Sequence, residues 1–166
     1  MPRSAHSRSS RATRVQILDE QDLIDLPIPA LRRMATKVMK ACGRSGWELS
    51  VVFVDDERIR VWNRQWLGKN RATNVLSMSQ QESADPDAPT TDHRVLGDVV
   101  VSVETCARNA ARAGMTPIEE IAFCLIHGIC HLLGYDHEGV DARRAAEMAA
   151  AEKDLYSRFA RDIFSA

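Results

Sequence analysis

Apolar residues recur along this chain in two periods, and the switches between them mark its elements. "VQIL" (Val15 to Leu18) reads as a short strand. In "IPALRRMATKVMKACG" the residues Leu31, Met34, Ala35, Val38 and Met39 recur at helical spacing, with Gly43 as a stop. "WELSVVFVD" is a second strand, running into an acidic turn at Asp55, Asp56 and Glu57. "RIRVWNRQWL" is expected to be a helix and "TNVLSM" a third strand. The polar, proline-containing stretch from Ser79 to Arg94 reads as a loop. "VLGDVVVSVE" is a fourth strand, with Val99 and Val101 on one face and Asp98, Val100 and Ser102 on the other. Three helices follow: "TCARNAARAG", "TPIEEIAFCLIHGICHLLG" and "VDARRAAEMAAAEKDLYSRFARDIF". No internal repeat or second domain boundary interrupts this order. The expectation is an α+β fold: one compact domain, with a small mixed four-stranded sheet packed by about five helices.

Composition changes this picture little. A chain of 166 residues, 45% hydrophobic and 27% charged, can bury a core without covalent staples. The net charge of −1 gives no global nucleic-acid signature, so any such case rests on local charge. No run approaches the roughly 18 to 20 apolar residues of a membrane span. Cys42, Cys106, Cys124 and Cys130 form no C-x-x-C pair and are expected to be reduced thiols of a cytoplasmic protein. The opening "MPRSAHSRSSRATR" carries four arginines and no acid or apolar core. Residues 1–14 are therefore expected to be a disordered basic tail, and residues 15–166 the domain.

The candidate chemistry lies in the most apolar helix. Thr116 reads as its N-cap, Pro117 as the first helical residue and Glu119 as the partner of a capping box. Its stripe of Ile118, Ile121, Ala122, Leu125, Ile129, Leu132 and Leu133 is backed by Phe123, Cys124, Ile126 and Cys130, so it should be buried nearly all round. Into this helix the chain puts His127 and His131. Four residues apart, they differ by about 40° around the axis and about 6 Å along it, so both rings overhang one side. Two neutral imidazoles buried together leave nitrogens unpaired, at about 1–3 kcal/mol each; a divalent cation would accept both lone pairs. Gly134 lets the chain reverse, and three extended residues, reaching about 10 Å, bring His137 back toward the pair.

H-x3-H-x5-H around a glycine thus points to a three-histidine site for one zinc ion, with a fourth position open for water. The alternative gives each histidine its own role, two in the core and one in a solvated loop. The same spacing occurs in zinc proteases that read H-E-x-x-H-x-x-G-x-x-H, but here the glutamate position is Gly128. A second cluster is basic: Arg58, Arg60, Arg64, Lys69 and Arg71 fall in an acid-free stretch with Asn63, Thr73, Asn74 and Ser77. Arg64, Lys69, Arg71 and Asn74 are the expected substrate-binding residues if the ligand is a phosphodiester chain. Taken alone, such a run is more often a solvated face.

"HGICHLLGYDH", together with "NRQWLGKNRATNVLSM", "LGDVVVS" and the Glu147, Met148, Glu152 pattern of the last helix, resembles the YbeY endoribonucleases, bacterial rRNA maturation factors. The resemblance spans roughly Val15 to Phe164. It implies a metalloprotease-like fold with zinc on a central helix, and a zinc-dependent endoribonuclease of single strands. That activity would act in 16S rRNA 3′-end maturation and ribosome quality control, on rRNA and at the small ribosomal subunit. By position, His127, His131 and His137 would be the ligands, Lys69 a phosphate contact and Asp98 a polar group at the cleft. Leu67 stands where that family usually has arginine, with Arg64 and Arg71 as neighbouring sources of charge.

Asp136, next to a ligand histidine, is a candidate to orient a ring or move a proton; Lys69, Asp98 and Asp136 are thus the candidate catalytic residues. Glu152 reads as a partner supporting the site or packing, Cys130 as a small core residue, and Trp62 and Trp66 as core more than as stacking platforms. Two other functions remain open: an RNA-binding ribosome assembly factor whose zinc holds the fold, and a metallopeptidase.

Overall fold

Alternating residues of the first strand point to opposite sides, and only one side of it is covered. In the computed structural model, which describes residues 11–80, 94–134 and 141–164, Val15 and Ile17 of β1 (Arg14–Asp19) face the core while Gln16 and Leu18 are exposed. The strand starts at Arg14, one residue earlier than expected, and Thr13 Oγ1 accepts a hydrogen bond from the Gly46 amide at 2.9 Å. Of the expected basic tail, residues 1–10 lie outside the described residues.

Helix α1 (Ile28–Ala41) has Pro29 in its first turn and buries Leu31, Met34, Ala35, Val38 and Met39, the stripe read from the sequence. It returns the chain to β2 (Glu48–Val54), which pairs parallel with β1. Asp55 then accepts a hydrogen bond from the Arg58 amide at 2.8 Å, so the acidic turn is the N-cap and first turn of α2 (Asp56–Leu67). After a loop come β3 (Val75–Ser79) and β4 (Val95–Ser102). The expected loop between them lies mostly outside the described residues.

The sheet order is β1-β2-β4-β3, with β4 parallel to β2 and the edge strand β3 antiparallel to β4. The register shifts between Glu48 and Leu49 opposite Val95 and Gly97. Gly97 sits there at φ +147°, where a β-carbon would run into the Met78 carbonyl oxygen.

The fourth strand stops two residues sooner than its valine run suggested. Ser102 turns out of the sheet and caps α3 (Val103–Ala113), so Val103 and Glu104 are helical. Helix α4 (Pro117–Leu132) begins with the expected capping box: Glu119 carboxylate accepts from the Thr116 amide at 2.6 Å, and Thr116 Oγ1 from the Glu119 amide at 3.3 Å. It buries Ile121, Ala122, Leu125, Ile126 and Ile129 completely. Each of these leucine and isoleucine side chains contributes about 1.5–3 kcal/mol by burial, and truncating Leu125 to alanine would cost about 2–5 kcal/mol. The last helix is two: α5 (Ala142–Phe159) ends at Ala160, and a single turn, α6 (Arg161–Phe164), follows.

The main core lies between one sheet face, carrying Val51, Phe53, Val99 and Val101, and the helices α1, α4 and α5. On the opposite face Val54, Leu76 and Val100 pack with Ile59 of α2. The architecture is α+β with a four-stranded mixed sheet and five helices beside the short terminal turn. Among the described residues no single helix is long and apolar enough to cross a membrane.

Candidate active site

Helix α4 lies against the sheet closely enough that a side chain is excluded at one position. A β-carbon on Gly128 would stand 2.6 Å from Val99 Cγ1, 3.1 Å from Ser77 Oγ and 3.2 Å from Val75 Cγ2. The glutamate of the zinc-protease motif has no room here. Ser77 Oγ uses the same proximity to donate to the Gly128 carbonyl oxygen at 3.1 Å.

With Gly128 turned to the sheet, the residue before it and the one three beyond overhang the side of the helix. His127 and His131 meet there, rings at 76° with centroids 4.5 Å apart, and their Nε2 atoms are 2.9 Å from each other. Two nitrogens each about 2.0–2.1 Å from a shared tetrahedral ion stand about 3.3 Å apart, so the rings need open only slightly to hold one between them. Behind them, Nδ1 of His127 is 2.5 Å from Oε1 of Glu152 on α5, a carboxylate only 5% exposed. Among the described residues no group of three histidine, cysteine or acidic side chains converges on one point. His137 and Asp136, the expected third ligand and its neighbour, lie outside the described residues. The donor set present, two imidazole nitrogens facing each other with a carboxylate on the far nitrogen of one ring, fits zinc chemistry.

Asp98 is not brought to this pair. Gly97 and Val99 face α4, where Leu132 and the Gly128 backbone lie, so alternation turns Asp98 to the face of Leu76 and Val100. There its Oδ2 accepts from Gln80 Nε2 at 3.0 Å. Strand pleating thus puts Asp98 on the opposite side of the sheet from the imidazoles.

The basic residues form a second feature at the edge of the sheet. Gly68, at φ +68°, ends α2, and the loop that follows crosses to β3. Asn63, 2% exposed, holds it: Nδ2 donates to the Arg71 carbonyl oxygen at 2.9 Å. Between loop and strand lies a cavity of about 250 Å³ lined by Asn63, Leu67, Lys69, Arg71, Thr73 and Val75 among others. Leu67, 58% exposed, therefore stands in the same pocket as two cations. Val75 is common to both features, since it lines this pocket and also touches the Gly128 turn.

Arg64 is exposed on the last turn of α2, while Arg58 is engaged with Glu20 at the other end of that helix. Asn74 is committed within the protein: Oδ1 accepts from the Val75 amide at 2.9 Å and Nδ2 donates to Cys124 Sγ at 3.5 Å. Trp62 and Trp66 stack with centroids 5.4 Å apart, and Trp66 is 43% exposed, so the pair is not wholly core.

The cysteines are thiols, none in a disulfide. Cys130 is buried, its thiol pushed up to about 12 by burial and by the Glu152 and Cys42 charges. Cys124 is raised further, first by its contact with Cys106, whose sulfur is 3.6 Å away, and then by burial. Neither is a thiolate nucleophile. Ser77 and Gly128 are the pair whose contact the sequence did not reveal; spacing along one chain carries no record of which helix turn touches which strand.

Comparison with known proteins agrees with the motifs. Residues 16–160 match the family model described as endoribonuclease YbeY. An endoribonuclease YbeY of Syntrophus aciditrophicus is 36% identical over 156 residues, covering 92% of both chains. One from Geobacter sulfurreducens is 38% identical, covering 87% of this chain and 94% of its own. A solution structure of a Thermotoga maritima protein shares the fold, with a TM-score of 0.57 at 21% identity over 89% of this chain and 93% of that one. On the match across most of its length, the chain belongs to the endoribonuclease YbeY family.

Proposed function

We propose that this protein is a zinc-dependent endoribonuclease that cuts single-stranded RNA, acting on 16S rRNA during 3′-end maturation and in ribosome quality control. The family supports hydrolysis of RNA. The observation that carries the metal is the 2.9 Å approach of the His127 and His131 Nε2 atoms. His127, His131 and His137 would hold the ion, which would supply a Lewis acid for a phosphoryl oxygen and a water of lowered pKa.

The remaining steps belong to the chain itself. Lys69 and Arg71, at the pocket that shares Val75 with the histidine helix, hold the phosphates of the incoming strand, and Arg64 adds charge on the approach. Asn63 keeps that loop in place, and Asn74 ties the start of β3 to α4. Asp136 is positioned in sequence to orient a ligand ring. Asp98 has no part in this reading. The partners are rRNA and the small ribosomal subunit with its proteins, in the cytoplasm.

A second reading, an RNA-binding assembly factor whose zinc holds the fold, draws on Leu67, an exposed aliphatic side chain among the cations. A metallopeptidase is disfavoured by the contact of Gly128 with Val99. The deciding experiment is metal analysis of the pure protein together with cleavage of a defined 16S rRNA precursor, with and without chelator. The proposal expects zinc near one per chain, cleavage lost on chelation, and loss of both in His131→Ala. Cleavage that persists in metal-free protein would overturn it, and zinc with RNA binding but no cutting would favour the second reading.

A further inference from the structure

We propose that Glu152 is a positioning residue: its carboxylate holds the proton of His127 on Nδ1 and so keeps the Nε2 lone pair turned toward Nε2 of His131. This inference rests on the metal reading above and adds a residue to it that lies outside the histidine motif.

Glu152 is 5% exposed, on the α5 stripe that also buries Met148 and Leu155. An ionised carboxylate in such surroundings is costly without a hydrogen-bonding partner. The partner it has is Nδ1 of His127, at 2.5 Å. In the proposed pair Nδ1–H donates and the carboxylate oxygen accepts. Neutral imidazole carries one N–H, and with Nδ1 taken, Nε2 bears the lone pair. That is the atom 2.9 Å from His131 Nε2. Without the carboxylate the ring is free to take the other tautomer, in which Nε2 carries hydrogen and cannot bind a metal, and its plane loses one of its restraints.

A packing role for Glu152 makes a different prediction, and an apolar side chain of similar length separates the two. In Glu152→Met the stripe on α5 is kept and the acceptor is lost. Zinc affinity, measured by competition with a chromogenic chelator, is expected to fall about 10- to 100-fold. In zinc-free protein, the ring-nitrogen chemical shifts of His127 in long-range proton–nitrogen spectra should report hydrogen on Nδ1 in the wild type and a mixture in the variant. Glu152→Gln, which keeps an acceptor oxygen but not the charge, should bind zinc more tightly than Glu152→Met and more weakly than the wild type; it carries the test if Glu152→Met fails to fold.

Wild-type protein with the His127 hydrogen on Nε2, or variants whose tautomer and zinc affinity match the wild type within twofold, would overturn the proposal. Wild-type protein that binds no zinc would sink the metal reading alone, since the spectra of metal-free protein still decide whether Glu152 sets the tautomer.

Discussion

Ser77 Oγ donates a hydrogen bond to the carbonyl oxygen of Gly128 at 3.1 Å, fastening the edge strand to the helix turn that lies between the two imidazoles. The contact exists only because residue 128 has no side chain. Replacing Gly128 with alanine brings two opposed effects. Helix propensity favours alanine by about 1 kcal/mol, whereas overpacking costs about 1–3 kcal/mol. With the new carbon 2.6 Å from Val99 Cγ1, the clash should win. Denaturant titration of Gly128→Ala is expected to show lower stability, and Gly128→Glu, which recreates the protease motif, should be far less stable and gain no peptidase activity. A Gly128→Ala protein more stable than wild type would mean that the helix does not approach the sheet this closely.

Leu67 sits in the pocket with Lys69 and Arg71, and arginine there would add a planar donor to phosphate. If the pocket serves the reaction, Leu67→Arg should raise kcat on a single-stranded RNA about tenfold or more. KM should change by less than that. A kcat that does not move would remove this pocket from the transition state.

Asn63 is nearly inaccessible, and its side-chain amide fixes the loop that carries the cations. Asn63→Ala should cost about 1–3 kcal/mol, as one buried partner of a hydrogen bond is removed. It should also expose the chain around Lys69 and Arg71 to trypsin and raise KM for RNA. Unchanged proteolysis at those two sites would show that the loop is held by other contacts.

Acid should weaken the junction of α2 with α3. Burial pushes the Asp56 carboxyl up, but hydrogen bonds from the Ser102 and Thr105 hydroxyls, both at 2.6 Å, and the Arg108 guanidinium at 2.7 Å outweigh it and leave the group below its ordinary value. A carboxylate more acidic in the folded than in the unfolded chain stabilises the fold fully above the unfolded value of about 3.9, and that contribution is lost as pH falls through the folded value. Urea midpoints followed from pH 6 to pH 3 should therefore drop less in Asp56→Asn than in wild type. Equal slopes would contradict the assignment.

Much of α4 was legible before any coordinates. Its capping box, its all-round apolar composition and the overhang of two rings at four-residue spacing follow from local rules, and each appears in the structure. The alternation of β4 was also legible, so Asp98 was correctly opposed to Val99. Which face would receive α4 was not, because that is decided by long-range packing of Val99 and Val101 against helices far along the chain. β4 is shorter than its sequence suggests because Val103 continues a valine run, and the Ser102 cap that ends the strand is visible only once the Thr105 amide donates to it. The break at Ala160 has neither glycine nor proline to announce it.

Synthesis of the chain has its own order, and the carboxylate behind His127 is made after both imidazoles. Glu152 follows that histidine by 25 positions, on a helix that needs its own apolar stripe to dock. All four strands and both imidazoles therefore precede that carboxylate along the chain, and the contact behind His127 closes only when α5 docks on α4.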